Sequence, residues 1–146
     1  MKVKQLSLFL ENKPGALSRP VEVLAKAKFN ILTLSVADTQ QFGILRLILQ
    51  DWEKAKQLLE QNGFVVKVTD MVAIEVSDAP GGLAEILAAL EKTHVNLEYM
   101  YGFTQRKAGK GMLVFRFDDP DRAIETLQKK HINPVRHLEL FKGSAN

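Results

Sequence analysis

Two stretches carry the residue types that can do chemistry: Glu-Asn-Lys-Pro-Gly-Ala-Leu at 11–17 and Ser-Asp-Ala-Pro-Gly-Gly-Leu at 77–83. In each, an alternating apolar run ends, a Pro-Gly pair turns the chain, and a helical pattern begins. A helix start presents backbone N–H groups that lack intrahelical partners, at the positive end of the helix dipole. Such a turn can receive an anion. Gly15 and Gly81 let a ligand come close to the backbone. Asn12 and Asp78 stand two residues before the prolines, and Asn30 and Asn96 stand where the next strand opens. All four also have a purely structural reading. Asn12 and Asp78 suit turns and caps, and Asn30 and Asn96 suit the left-handed end of a helix.

Other chemistries are poorly supplied. The chain has no cysteine, which removes disulfides, thiolate zinc sites and cysteine nucleophiles. His94, His131 and His137 show no metal-ligand spacing. Asp51, Asp119 and Asp121 fall at expected helix starts, where capping and the dipole account for them. No nucleophile–base order or phosphate loop is present. The expectation is a protein that is not an enzyme and uses neither cofactor nor metal.

The elements around these turns repeat. At an offset of 66, Pro14 falls on Pro80, Gly15 on Gly81, Leu17 on Leu83, Leu24 on Leu90, Lys26 on Lys92 and Asn30 on Asn96. Further on the offset becomes 68: Gly43 meets Gly111, Leu45 meets Leu113, Asp51 meets Asp119 and Leu59 meets Leu127. The two extra residues fall in the basic stretch Gln-Arg-Lys-Ala-Gly-Lys-Gly at 105–111, where a loop tolerates insertion. Two domains follow, 1–70 and 71–146, separated by a residue or two around Asp70 and Met71.

Each copy reads as strand, helix, strand, strand, helix, strand. In the first, strands are predicted at 3–10, 31–37, 43–49 and 64–69, and helices at 16–28 and 52–62. Pro20 is tolerable only in a first turn, which moves the start of the first helix to Ser18 as N-cap. In the second copy, 71–77 alternates as a strand, and Leu83, Ile86, Leu87 and Leu90 mark one helical face. Strands are expected at 96–103 and 111–117, then a helix with Asp119 as N-cap and Pro120 at its first position. A last strand is expected over 133–141. The fold class is α+β: two ferredoxin-like βαββαβ repeats, antiparallel sheets with helices on one face, packed as a pseudo-dimer.

The doubled Pro-Gly-x-Leu turn, its apolar helix and the Asn-Ile that opens the second strand together resemble the ACT domain, a βαββαβ regulatory module of amino-acid metabolism. The resemblance covers nearly the whole chain, twice, as a tandem without an attached catalytic domain. It implies a small amino-acid ligand bound where paired domains meet. Carried over residue by residue, one site is Asn12, Lys13, Pro14, Gly15, Ala16 and Leu17 with Asn30 and Ile31. The other is Asp78, Ala79, Pro80, Gly81, Gly82 and Leu83 with Asn96 and Leu97. The N–H groups of Gly15, Ala16 and Leu17 suit a carboxylate, and the amide oxygens of Asn12 or Asn30 suit an ammonium. Asp78, charged where the first turn has Asn12, makes the two sites unequal. Tyr99, Tyr101 and Phe103 alternate to one side of a strand, either as packing or, for Tyr99 and Tyr101, as a ligand wall. Few charges flank the turns besides Lys13 and Asp78, which favours an apolar or aromatic amino acid.

Composition bounds the partners. Apolar and charged fractions of 46% and 25% are ordinary for a globular chain. A net charge of +3 permits a nucleic-acid partner without requiring one. Residues 110–117, Lys-Gly-Met-Leu-Val-Phe-Arg-Phe, have the outline of an RNA-binding strand. Met112 and Val114 stand where that motif needs stacking aromatics, so no nucleic acid is expected. No apolar run approaches the ~20 residues that span a membrane, and the N-terminus reads as a strand, so a cytoplasmic location is expected. The competing reading is a protein–protein assembly module with a vestigial site. Either reading carries exposed sheet edges and so a homodimer, with an enzyme of amino-acid metabolism as a further partner.

Overall fold

β1 (Val3–Glu11) carries Leu6, Leu8 and Leu10 at period two, which puts all three on one face of a strand. Antiparallel pairing with β3 (Phe42–Leu49) sets Leu6 opposite Leu47 and Leu8 opposite Leu45, so the leucines of both strands share that face. The computed structural model that shows this describes residues 1–104 and 108–142; residues 105–107 of the expected basic loop lie outside it. The chain divides into two compact units, Lys4–Thr69 and the chain from Asp70 onward together with Met1–Val3.

In the first unit, α1 (Ser18–Lys26), β2 (Ile31–Asp38) and α2 (Trp52–Gln61) complete the pattern up to the opening of β4 (Val66–Ser77). The strand order is β2-β3-β1-β4. Leu24 of α1 and Ala55 and Leu59 of α2 close over the leucine face as one buried cluster. Pro20 is the third residue of α1, within the first turn, and is buried. Ser18 is the first helical residue rather than the cap. Leu17 holds the cap position, already in helical geometry and without a side-chain cap bond.

The second unit repeats the arrangement. The later part of β4 pairs antiparallel with β6 (Lys110–Phe117), which pairs antiparallel with β5 (Leu97–Gly102). Ile86 and Leu90 of α3 (Gly82–Leu90) and Ala123 and Leu127 of α4 (Pro120–Lys129) bury Val72, Ile74, Val76, Phe115 and Phe117. The rings of Phe115 and Phe117 stack with centroids 5.6 Å apart.

Two expectations about strands are corrected. Asp70 and Met71 do not separate two strands, because β4 runs unbroken from Val66 to Ser77. Its apolar parity explains this: Val66, Val68, Val72, Ile74 and Val76 alternate straight through the junction, interrupted only by Asp70. The expected strand over 133–141 shrinks to a single bridge, Val135 N–H donating to the Ala73 carbonyl at 2.8 Å. Pro134, without an N–H, cannot extend such a ladder. Arg136 then opens the short helix α5 (His137–Leu140), its backbone N–H donating to the Glu139 carboxylate at 3.3 Å.

Asp119 behaves as its sequence position implies. Its carboxylate accepts from the Arg122 backbone N–H at 3.0 Å, with Pro120 next to it in the first turn. Replacing such a cap costs about 1 kcal/mol. Asp119→Ala is therefore expected to lower the thermal midpoint, while Asp119→Asn keeps most of it. Equal midpoints for Asp119→Ala and the parent chain would show that the cap bond does not contribute.

Candidate functional site

The first turn leaves β1 at Glu11 and is braced at once. The Asn12 backbone N–H donates to the Gln41 carbonyl and its Nδ2 to the Gln40 carbonyl, both at 3.0 Å. Asn12 thereby ties the turn to the tip of the β2–β3 hairpin and keeps Oδ1 as an acceptor. Gly15 then takes φ +81°, a left-handed value that carries the chain up into α1. The Ala16 N–H donates to the Lys13 carbonyl at 3.3 Å, and Ala16 packs on the leucine cluster.

This path leaves an open cleft of about 530 Å³ between the turn and the α2–β4 connection. Its walls are Phe9, Leu10 and Glu11 of β1, Lys13 to Ala16 of the turn, Arg19 of α1, and Gly63 with Phe64. The Lys13 ammonium sits 2.8 Å from the Glu11 carboxylate. The hydrogen bond from Lys13 and then its charge hold the Glu11 carboxyl below its usual pKa. Arg19 lies with its guanidinium carbon 5.4 Å from the centre of the Phe64 ring, a contact worth about 0.5–1 kcal/mol at an exposed site.

The second turn is built more tightly. Asp78 N–H donates to the Gly109 carbonyl at 2.9 Å, and Gly81 repeats the left-handed value of Gly15 with φ +92°. In the frame of the repeat, α3 starts two residues earlier than α1, at Gly82, the counterpart of Ala16. A Cβ on Gly82 would stand 2.2 Å from the Ser77 carbonyl oxygen. The turn is drawn against the strand end, and Leu83 packs into the second core where Leu17 of the first turn is 40% exposed.

Within each unit, not all of the sequence-expected residues converge. Ile31 pairs with Leu49, whereas the first turn leaves beside Phe42, which pairs with Glu11. Seven residues of strand, roughly 23 Å, separate Asn30 and Ile31 from Asn12 to Leu17. The hairpin tip Thr39–Gln41 stands beside the turn instead. Asn30 and Asn96 do not take the left-handed helix end either; Lys28 and His94 do, with φ of 62° and 59°. Asn96 fastens the start of β5, its N–H donating to Asp118 Oδ1 at 2.9 Å and its carbonyl accepting from the Asp118 N–H at 3.0 Å; Leu97 follows it opposite Phe117. Tyr99 and Tyr101 pair with Arg116 and Val114, on the sheet face away from α3 and α4. Val114 pairs with Ala73, four residues or about 13 Å along β4 from Ser77, where the second turn begins. The register thus keeps both tyrosines clear of the Asp78–Leu83 turn of their own unit.

Phe9, Leu10, Glu11, Arg19, Gly63 and Phe64 line the cleft without having been foreseen. One signal was present for Arg19. It is the second residue of a helix whose first turn contains no acid, where the dipole disfavours a cation.

The family described as the ACT domain pair matches residues 1–142. The chain belongs to that family. Among solved structures, this ACT pair is similar to a protein from Bacteroides thetaiotaomicron, with a TM-score of 0.90, 40% identity and 97% of each chain covered. The ligand-free regulatory subunit of aspartate kinase from Thermus thermophilus shares the fold at a TM-score of 0.61 and 13% identity, over 88% of this chain and 91% of that one. Among curated proteins, the acetolactate synthase small subunit of Buchnera aphidicola is 34% identical over 89 residues, 60% of this chain and 55% of that protein. The match spans about half the length of that curated relative.

Two outcomes test the geometry of the turns. A residue other than glycine in a left-handed backbone costs about 1–2 kcal/mol. Nothing lies within 4 Å of a Cβ on Gly15, so Gly15→Ala is expected to cost that strain alone. Gly82→Ala must also displace backbone, and overpacking typically costs about 1–3 kcal/mol; urea unfolding should show a loss for it, and a stability equal to the parent chain's would show that the turn has room for the methyl. Lys13→Ala is expected to raise the Glu11 pKa back towards the ordinary carboxylate range. Side-chain NMR titration reads this directly, and an unmoved value would remove Lys13 as the cause.

Proposed function

We propose that this ACT pair is a non-catalytic regulatory protein that binds a small amino acid, apolar or aromatic, at its strand-to-helix turns. The observation that carries this reading is the open, charge-lined cleft at the first turn, in a chain that belongs to a family of amino-acid-sensing regulatory domains. Leu10 and Phe64 supply apolar wall, and Glu11, Lys13 and Arg19 supply opposite charges for the two ends of a zwitterion. Backbone N–H groups of Gly15 and Leu17 add donors for a carboxylate, that of Ala16 being taken by the Lys13 carbonyl. Of the two turns, the second is the poorer seat, because its backbone is pressed against Ser77.

Binding is transmitted through assembly. β2 is the edge strand of its unit and leaves Leu34 and Val36 44% and 51% exposed, an edge suited to pairing with a second copy. A homodimer follows, acting in the cytoplasm on an enzyme of amino-acid metabolism; similarity to an acetolactate synthase small subunit supports that class of partner. The exposed edge also favours the alternative, an assembly module whose ligand site is vestigial.

Thermal unfolding against each common amino acid at millimolar concentration separates the two. Ligand at 100 times its Kd stabilises the folded state by about 2.7 kcal/mol. An upward shift confined to apolar or aromatic amino acids, lost in Gly15→Pro, is expected for the sensor. No shift with any amino acid would sink the sensor and leave the assembly module.

A further inference from the structure

The end of α2 holds the one Asn-Gly pair in the sequence, Asn62-Gly63, and both residues are exposed. The backbone there closes on itself. The Gly63 N–H donates to the Glu60 carbonyl at 3.0 Å and the Phe64 N–H to the Leu59 carbonyl at 3.1 Å, with Gly63 in the left-handed region at φ +85°. Asn62 adds a side-chain bond, its Nδ2 donating to the Leu58 carbonyl at 2.8 Å. This turn delivers Phe64 onto the first leucine cluster and into the wall of the open cleft.

The second copy builds the same helix end from other residues. At the offset of 68, Lys130, His131 and Ile132 stand for Asn62, Gly63 and Phe64. His131 takes φ 60° and donates its N–H to the Gln128 carbonyl at 3.0 Å, and Ile132 donates to the Leu127 carbonyl at 2.9 Å. The turn therefore folds without an asparagine followed by a glycine. That pair gives the first copy a reactivity that the second lacks. Gly63 has no Cβ to shield its nitrogen, and the amide carbon of Asn62 is an electrophile one residue before it. Asn12, Asn30 and Asn96 precede Lys13, Ile31 and Leu97, whose side chains crowd the corresponding nitrogen, and Asn133 precedes Pro134, which has no N–H.

We propose that Asn62 is a site of spontaneous covalent modification, and that the last turn of α2 is the latch that sets its rate. The Gly63 nitrogen loses its proton to solvent base and bonds to Asn62 Cγ, and Nδ2 leaves as ammonia. Water then opens the succinimide, at Cγ to give aspartate or at the main-chain carbonyl carbon to give isoaspartate. The folded turn opposes ring closure. Both nitrogens are held in hydrogen bonds, and ψ of 15° at Asn62 keeps the Gly63 nitrogen out of line with Cβ, where the ring must close. Each product weakens the turn that formed it. Aspartate cannot donate to the Leu58 carbonyl, and it sets a negative charge at the negative end of the helix dipole. Isoaspartate adds a carbon to the main chain between Asn62 and Gly63, which breaks the spacing of both backbone bonds and shifts Phe64 in the cleft wall. Conversion is thus a one-way mark of how often the end of α2 opens.

Peptide mapping by mass spectrometry on the full chain, aged in mildly alkaline buffer, reads the reaction in the tryptic segment 57–67. The same segment as a free peptide supplies the rate without the latch. Asn62 is expected to convert in the folded chain about tenfold or more slowly than in the peptide, the factor that one net hydrogen bond supplies, and ahead of Asn12, Asn30 and Asn96. Gln57→Gly, on the exposed side of α2, loosens the helix without touching the reacting pair. It should convert several-fold faster than the parent chain, and urea below the unfolding transition should act in the same direction. Circular dichroism shows that the variant folds. Asn62→Asp, which reproduces one product, should melt below the parent chain, whereas Asn62→Lys, the residue of the second copy, should not. Equal rates in the folded chain and the peptide would overturn the latch, as would a parent chain that converts as fast as Gln57→Gly. Conversion of Asn12, Asn30 or Asn96 before Asn62, or an Asn62 that stays intact in Gln57→Gly while the peptide converts, would overturn the site. Equal midpoints for Asn62→Asp and the parent chain would overturn the weakening of the turn by its aspartate product.

Discussion

One face of each sheet must be covered, and everything else in the unit follows from that. Leu6, Leu8, Leu10, Leu45, Leu47 and Leu49 stand on one side of β1 and β3, and each fully buried leucine contributes about 1.5–3 kcal/mol. No strand can cover its own apolar face, so the helices must cross over it. The chain therefore has to leave β1 in the plane of the sheet and enter α1 one layer above within a few residues. Gly15 and Gly81 make that climb in a left-handed backbone that other residues adopt at a cost. The turn that looks like a binding motif is first of all the consequence of covering a leucine face.

A turn placed this way has chemical consequences. It brings the start of α1 over the end of β1, and the packing of α2 on the same face brings the α2–β4 connection alongside. The cleft is the gap between two necessary crossings. In the first unit it holds Glu11, Lys13 and Arg19. In the second, Gly82 is pressed onto the Ser77 carbonyl, and the helix begins two residues sooner. One architecture has thus given one open turn and one closed turn, the closed one with Gly82 where the open one has Ala16.

Much of the architecture could be read without coordinates, because periodicity is local. Alternation in β1 and β3, helical spacing in α3 and the Asp119-Pro120 start of α4 each depend on a few neighbouring residues. The reading failed where distant parts decided. The run over 133–141 alternates well enough for a strand, yet after Pro134 only Val135 reaches Ala73, and Arg136 and Glu139 close a helical turn. Asp70 looked like a break because it is polar. In β4 it is only an interruption of parity, with its carbonyl accepting from Arg116 at 3.1 Å.

The site divides in the same way. The duplication and the two Pro-Gly turns, each with its glycine, were determined by the sequence alone, since offsets and turn chemistry are properties of adjacent residues. Which groups stand around the turn was not. Asn30 and Asn12 were expected in a site where paired domains meet; within the unit, antiparallel register sets Asn30 at the far end of β2 from the turn. Arg19 and Phe64 lie 45 positions apart and meet only because α1 and α2 are packed on one face. A sequence states which side chains exist; only burial of the leucine face decides which of them share a cleft.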